Sequence, residues 1–146
     1  MNATAELYEQ DFYAWTLKNA ELLREGRLGE LDLEHLAEEL ESMGRSEKRE
    51  LIHRLAVLLA HLLKWQVQAG RRGRSWQLTL KEQRRQAARV LHDNPSLKPL
   101  MTEIVIDAYQ DAILRAAQET GLEESAFPAD CPFTLEQILN EDFLPD

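Results

Sequence analysis

The sequence predicts an all-α protein, a single-domain helical bundle of about five to six helices with two central, largely buried ones. Three observations predict it. Apolar residues recur at three- and four-residue steps almost throughout. No apolar–polar alternation runs longer than a few residues, as a half-buried strand would require. Gly, Pro and capping residues punctuate the chain at helix-length intervals.

Tyr8, Phe12, Trp15 and Leu22 fall on one helical face, and Gly26 is placed to stop that helix. Asp32 can cap a second helix, lined by Leu33, Leu36, Ala37, Leu40 and Met43, with Gly44 ending or kinking it. Ser46 can cap a third that runs to about Gln68, before Gly70. A fourth helix is expected from about Trp76 to His92, after Ser75. Asp93-Asn94-Pro95 then breaks the pattern, because Pro95 disfavours a helical Asn94. The fifth spans about Leu97 to Thr120 and stops at Gly121. In the Pro-containing extension over about 122–146, Thr134 and Gln137 have capping-box spacing ahead of Leu135, Ile138 and Leu139. One short last helix follows from that.

Two helices are expected at the centre. On a wheel, the apolar arc of residues 50–68 covers about 220°, against the roughly 100° stripe of a surface helix. The arc of Ile104, Val105, Ile106, Ala108, Ala112, Ile113 and Ala116 is also wide. Both helices need cover on several sides.

Cys131 is the only cysteine, so no disulfide forms within the chain and a reducing, cytoplasmic setting is expected. MNATAELYEQ has neither the basic start nor the apolar run of a signal peptide. LAVLLAHLLKW, the longest apolar stretch, is interrupted by His61 and Lys64, so a core helix rather than a membrane span is expected.

Charge is strongly blocked. The chain carries a net charge of -9, yet residues 64–98 hold nine basic and two acidic side chains. Arg71, Arg72, Arg74, Lys81, Arg84 and Arg85 lie there, and Trp76 sits beside the arginines. Such a block points to a partner, and nucleic acid is one candidate: arginine and lysine rows contact phosphates, and Trp76 could stack on a base. The alternative is internal neutralisation. Lys81, Arg85 and Arg89 share the four-residue step of Glu103, Asp107 and Asp111. A tight turn near Asn94 would set Arg85 beside Glu103 and Lys81 beside Asp107.

Chemical motifs are sparse. Arg54, His61 and Lys64 belong to a narrow polar stripe on the third helix. The spacing of Arg54 and His61 occurs in some helical ribonucleases, but such a stripe is also what the solvent face of a mostly buried helix looks like. His35 with Glu38 or Glu39 has the spacing of a shared metal site, in the reverse order of the Glu-x-x-His of di-metal bundles and without a second copy. A solvated acidic face is the simpler account, and no metal or cofactor is implied. Cys131, followed by Pro132 and Phe133, reads as a packed residue rather than a nucleophile. Trp15, Trp65 and Trp76 read as core or interface aromatics.

YEQDFYAW, LDLEHLAEELESMGRSEKREL, HLLKWQ, RSWQLTLKEQRR, NPSL, ETGL and FPADCPFTLEQIL occur in this order. Together they resemble the bacterial family called domain of unknown function 29, over about Tyr8 to Pro145. The resemblance implies a compact all-helical bacterial protein and assigns no activity and no site residue. From the residues, the chain reads as a non-enzymatic interaction module, a homodimer or bound to a protein partner, without a membrane. The alternatives are nucleic-acid association through segment 71–89, and a phosphodiester- or metal-dependent enzyme using His61 or His35.

Overall fold

The computed structural model describes residues 3–146. It contains six α-helices and no strand among the described residues: α1 (Ala3–Gln10), α2 (Phe12–Arg24), α3 (Leu33–Val67), α4 (Arg74–Asp93), α5 (Met101–Thr120) and α6 (Leu135–Leu139). The all-α class is therefore as the periodicity predicts. The chain divides into two compact units, Met1–Arg45 and Ser46–Asp146.

In the first unit, the single helix expected over Tyr8–Leu22 is two. Asp11 takes an extended conformation (φ -157°), and its carboxylate accepts the Ala14 N–H at 3.0 Å. A short acidic side chain that competes for backbone donors starts a new helix here rather than continuing the old one. Gly26 ends α2 as expected. With φ +71° it lets its own N–H reach Leu23 O and the Arg27 N–H reach Leu22 O, a pair of bonds that closes the helix end. Trp15, Leu22 and Leu31 form a small apolar core, with Thr4, Asn19 and Asp32 buried beside them.

Helix α3 runs unbroken through Gly44 and Ser46, where the sequence predicts the end of one helix and the start of the next. A glycine within a helix costs only about 1 kcal/mol relative to alanine. Good helix formers flank it, the Glu41–Arg45 ion pair spans it, and a second such pair, Glu50–Arg54, follows further along α3.

In the second unit, the C-terminal part of α3 and the whole of α5 are central. Leu51, Leu55, Leu58, Leu59, Leu62 and Leu63 are fully buried, as are Ile104, Ala108, Ala112 and Ala116. Ile106, counted in the buried arc from sequence, is instead exposed. Helix α4 begins at Arg74, slightly earlier than expected, and turns Leu80, Ala87, Val90 and Leu91 inward. Between α4 and α5 the chain forms a 3-10 helix over Pro95–Leu100 rather than a tight turn. Pro99 disfavours an α-helical Lys98, so α5 starts at Met101. Gly121 (φ +77°) closes α5, and the capping box of Thr134 and Gln137 opens α6 with both of its hydrogen bonds made. Phe127, Phe133 and Ile138 join the core of this unit.

Candidate functional site

The first unit carries an open apolar groove of about 640 Å³ between α2 and the start of α3. Phe12, Trp15, Ala20 and Leu23 form one wall, and Leu36, Leu40 and Met43 the other. Sequence periodicity assigns Leu33, Leu40 and Met43 to a core face, yet they are 67%, 65% and 64% exposed. Phe12, Tyr13, Leu17 and Leu23 on α2 are exposed as well. A helix apolar on nearly all sides is normally covered, and large contiguous apolar patches mark interaction surfaces.

The polar side chains lining the groove have partners within the unit. Thr16 Oγ1 donates to Tyr13 O at 2.7 Å, and Asn19 Nδ2 donates to Trp15 O at 2.9 Å. Asn19 Oδ1 accepts the Asp32 N–H at 3.1 Å. Glu39 Oε1 accepts the Tyr8 hydroxyl at 2.5 Å.

Trp15, which lines the groove, also belongs to a partly buried polar network. Asp32 Oδ2 accepts Trp15 Nε1–H at 2.8 Å and lies 2.6 Å from His35 Nδ1. The Tyr8 ring stacks on His35 at 3.8 Å, almost parallel. Burial pushes the Asp32 carboxyl up, but the hydrogen bonds from Trp15 and His35 outweigh it and hold its pKa below the ordinary value. His35 is shifted up by its bond to Asp32, against a smaller effect of burial. The Tyr8 hydroxyl, bound to Glu39, is pushed up to about 12. His35 and Glu39, paired from sequence as potential metal ligands, therefore have other partners. Among the described residues no group of three or more His, Cys, Asp or Glu is placed to hold a metal ion.

In the second unit the basic segment separates into two sets. Arg84 is 2% exposed, and its guanidinium donates to the carbonyls of Ile138, Gln137 and Glu141, at and beyond the end of α6. It is a structural cap, which corrects its place among surface candidates. Arg72 Nε donates to Trp65 O at 2.6 Å while its guanidinium lies over the Trp65 ring. Trp76 is half-buried, edge-on to His61 and 4.9 Å from Lys64 Nζ, so its ring is engaged within the fold. Arg71, Arg74, Lys81, Arg85 and Arg89 are exposed. Of these, only Arg85 has an acidic partner among the described residues, Glu141 at 3.9 Å.

The cross-helix pairs expected from a tight turn are not formed. Glu103 binds Lys48 at 2.8 Å and Arg85 faces Glu141. The 3-10 helix between α4 and α5 removes the premise of that register, and α6 brings Glu141 nearer to Arg85.

The polar stripe is less solvated than its spacing implies. Lys64 is buried and pairs with Glu119 at 2.7 Å. His61 Nδ1 lies 2.9 Å from Val57 O, so the proton belongs on that nitrogen. Burial pulls the His61 pKa down, with Lys64 and Arg115 adding to the shift against the Val57 bond and Glu119. Arg54 Nε is tied to Glu50 at 2.7 Å. Each of these side chains already has a partner in the fold. Cys131 lies half-buried, its thiol pKa raised by burial, which opposes thiolate chemistry.

The family model described as "Domain of unknown function DUF29" matches residues 7–144. The chain belongs to this family. Neither a curated protein nor a solved structure matches it. Among the described residues no helix is long and apolar enough to cross a membrane. Two features of this DUF29 chain escape sequence reasoning: the openness of the α2–α3 groove, and the junction of Trp15, Asp32, His35 and Tyr8. The composition of α2 carries a signal for the first, since only Lys18, Glu21 and Arg24 of its 13 residues are charged.

Proposed function

We propose that the chain is a non-enzymatic protein–protein interaction module of the reducing cytoplasm, and that it works by docking a polypeptide in the α2–α3 groove. The observation that carries this reading is the exposure of Phe12, Leu23, Leu33, Leu40 and Met43 along two adjacent helices. The occupant that fits is the apolar stripe of a helix, because an amphipathic helix laid in a groove buries side chains at three- and four-residue steps. Benzoylphenylalanine placed at Leu40 and irradiated in living cells is expected to join a polypeptide. The same probe at Glu34, on the charged side of α3, is expected to join none. Absence of any adduct at Leu40 overturns the reading.

A second reading, nucleic-acid association, is favoured by the outward row of Arg74, Lys81 and Arg89, which has no acidic partner among the described residues. Arg71 and Arg85 extend it, whereas Arg72, Trp76 and Arg84 are occupied in the fold. Anisotropy of labelled RNA and duplex DNA at about 50 and 200 mM salt tests it, since phosphate contacts weaken steeply with salt. Binding lost in an Arg74→Ala/Lys81→Ala/Arg89→Ala variant supports it, and no binding at the lower salt removes it.

A further inference from the structure

We propose that the occupant of the groove is a second copy of this chain, with α2 of each copy lying against α3 of the other so that two helix pairs close a four-helix bundle. This rests on the reading of the groove as a polypeptide-docking surface and names the polypeptide.

Of the residues lining the groove, Phe12, Thr16, Asn19 and Leu23 are separated by four, three and four residues, and Leu36, Leu40 and Met43 by four and three. These are the steps of a helical-bundle seam, which repeats at an average of about 3.5 residues, with Thr16 and Asn19 as polar positions within the α2 seam. Two seams side by side are half of such a bundle. The missing half needs two helices of matching length and matching seams. A second copy provides both, and a two-fold axis brings each seam to its counterpart once.

The floor chemistry agrees. Thr16, Asn19 and Glu39 line the groove, and their hydrogen bonds run within the unit. A polar or ionic ligand would find few unengaged groups to orient it. An apolar helix stripe needs none, and burying it is favourable in proportion to the area removed from water.

Charge selects the pairing. Helix α2 carries Lys18 and Arg24 against one acid, Glu21. The start of α3 carries Glu34, Glu38, Glu39 and Glu41, with no basic side chain before Arg45 apart from His35. Placing α3 on α3 would oppose two acidic rows. Crossing α2 onto the partner's α3 sets lysine and arginine beside acids in both halves of the interface, and like-charge juxtaposition disfavours the other arrangement.

Exposed apolar side chains are available for such an interface. A specific interface needs on the order of 800 Å² per partner. Phe12, Tyr13, Leu23, Leu33, Leu40 and Met43 are large side chains, each at about half exposure or more, within a unit of only 45 residues. A unit this small sits near the lower limit for a self-sufficient core, where association commonly makes up the deficit.

Light scattering over a concentration series of the full chain is the first test. The expected particle has twice the 16.9 kDa chain mass. Leu40→Glu is expected to be a monomer with unchanged far-ultraviolet dichroism, whereas Leu78→Glu, on the exposed side of α4, stays dimeric. A wild-type monomer up to about 200 µM overturns the proposal, as does a Leu40→Glu dimer.

A charge exchange tests charge pairing across the interface without relying on one variant. Lys18→Glu/Arg24→Glu and Glu38→Lys/Glu41→Lys chains should each self-associate at least about tenfold more weakly than wild type. Mixed, they should form the heterodimer in preference to either homodimer, read by native mass spectrometry. A mixture with no preference overturns the crossed arrangement. A crosslink from Leu40 to a different protein overturns the second copy while leaving polypeptide docking intact, so the two readings fail separately.

Discussion

His35 Nδ1 lies 2.6 Å from Asp32 Oδ2, and the same carboxylate oxygen receives Trp15 Nε1–H at 2.8 Å. This junction ties α2 to the start of α3, and it makes the stability of the first unit depend on pH. The folded pKa of His35 is raised above 6.5, so its contribution is complete below that value and lost as pH rises through the folded pKa. The folded pKa of Asp32 is lowered below 3.8, so its contribution is complete above that value and lost as pH falls through the folded pKa. The pair is therefore fully effective between the two ordinary values, at mildly acidic pH. In a proton-NMR titration, the histidine resonance that is abolished in His35→Gln should have a midpoint above 6.5. Asp32→Asn should return that midpoint towards the ordinary value and cost about 1–3 kcal/mol, because two donors lose a charged acceptor. An unshifted His35 would contradict the junction.

Arg84 is expected to be among the costliest charged side chains to replace. It caps the end of α6 by donating to three carbonyls, so Arg84→Met leaves those acceptors without their donor. A loss of about 1.5–3 kcal/mol in urea unfolding is expected, with faster amide exchange at Ile138 and Leu139. Arg84→Lys should recover little, because an ammonium cannot spread donors over three carbonyls as a guanidinium fork does. Arg89→Met, on the exposed side of the same helix, should change stability by less than about 0.5 kcal/mol.

These features were legible in sequence to different degrees, for physical reasons. Gly26, Gly121 and the Thr134/Gln137 box mark helix ends through interactions within a few residues, so the letters alone locate them. Asp11 marks a start in the same way, but the apolar spacing from Tyr8 to Trp15 masks it. Gly44 and Ser46 carry stop and cap signals that a 35-residue helix overrides, because packing of Leu51 and Leu55 outweighs about 1 kcal/mol of propensity. Periodicity says which residues share a face but not whether anything covers it, so the exposure of Leu40 and Met43 is invisible in sequence. Asp32 was readable as a cap and His35 as a polar candidate. Their union with Trp15 and Tyr8 depends on how three helices pack.

Gly44→Ala is expected to stabilise the chain. The site is exposed inside α3, its φ is not positive, and a Cβ there meets nothing within 4 Å. Alanine removes backbone freedom from the unfolded state and improves helix propensity, so a gain of about 0.5–1 kcal/mol is expected by thermal or urea unfolding. Destabilisation would mean that α3 bends at Gly44 in solution.

Lys64 and Glu119 should show asymmetric costs. Lys64 is buried, with its ammonium 2.7 Å from Glu119 and 4.9 Å from the Trp76 ring centre, while Glu119 keeps contact with solvent. Removing the acid strands a desolvated cation; removing the lysine charge leaves a carboxylate that water can still reach. Glu119→Ala is therefore expected to cost about 1–2 kcal/mol. Lys64→Met keeps a buried apolar stem at this position and should cost less than about 1 kcal/mol. The double variant should be more stable than Glu119→Ala alone, since it no longer buries an unpaired charge. Urea unfolding of the four chains closes the cycle, and additive costs would show that the two groups do not interact.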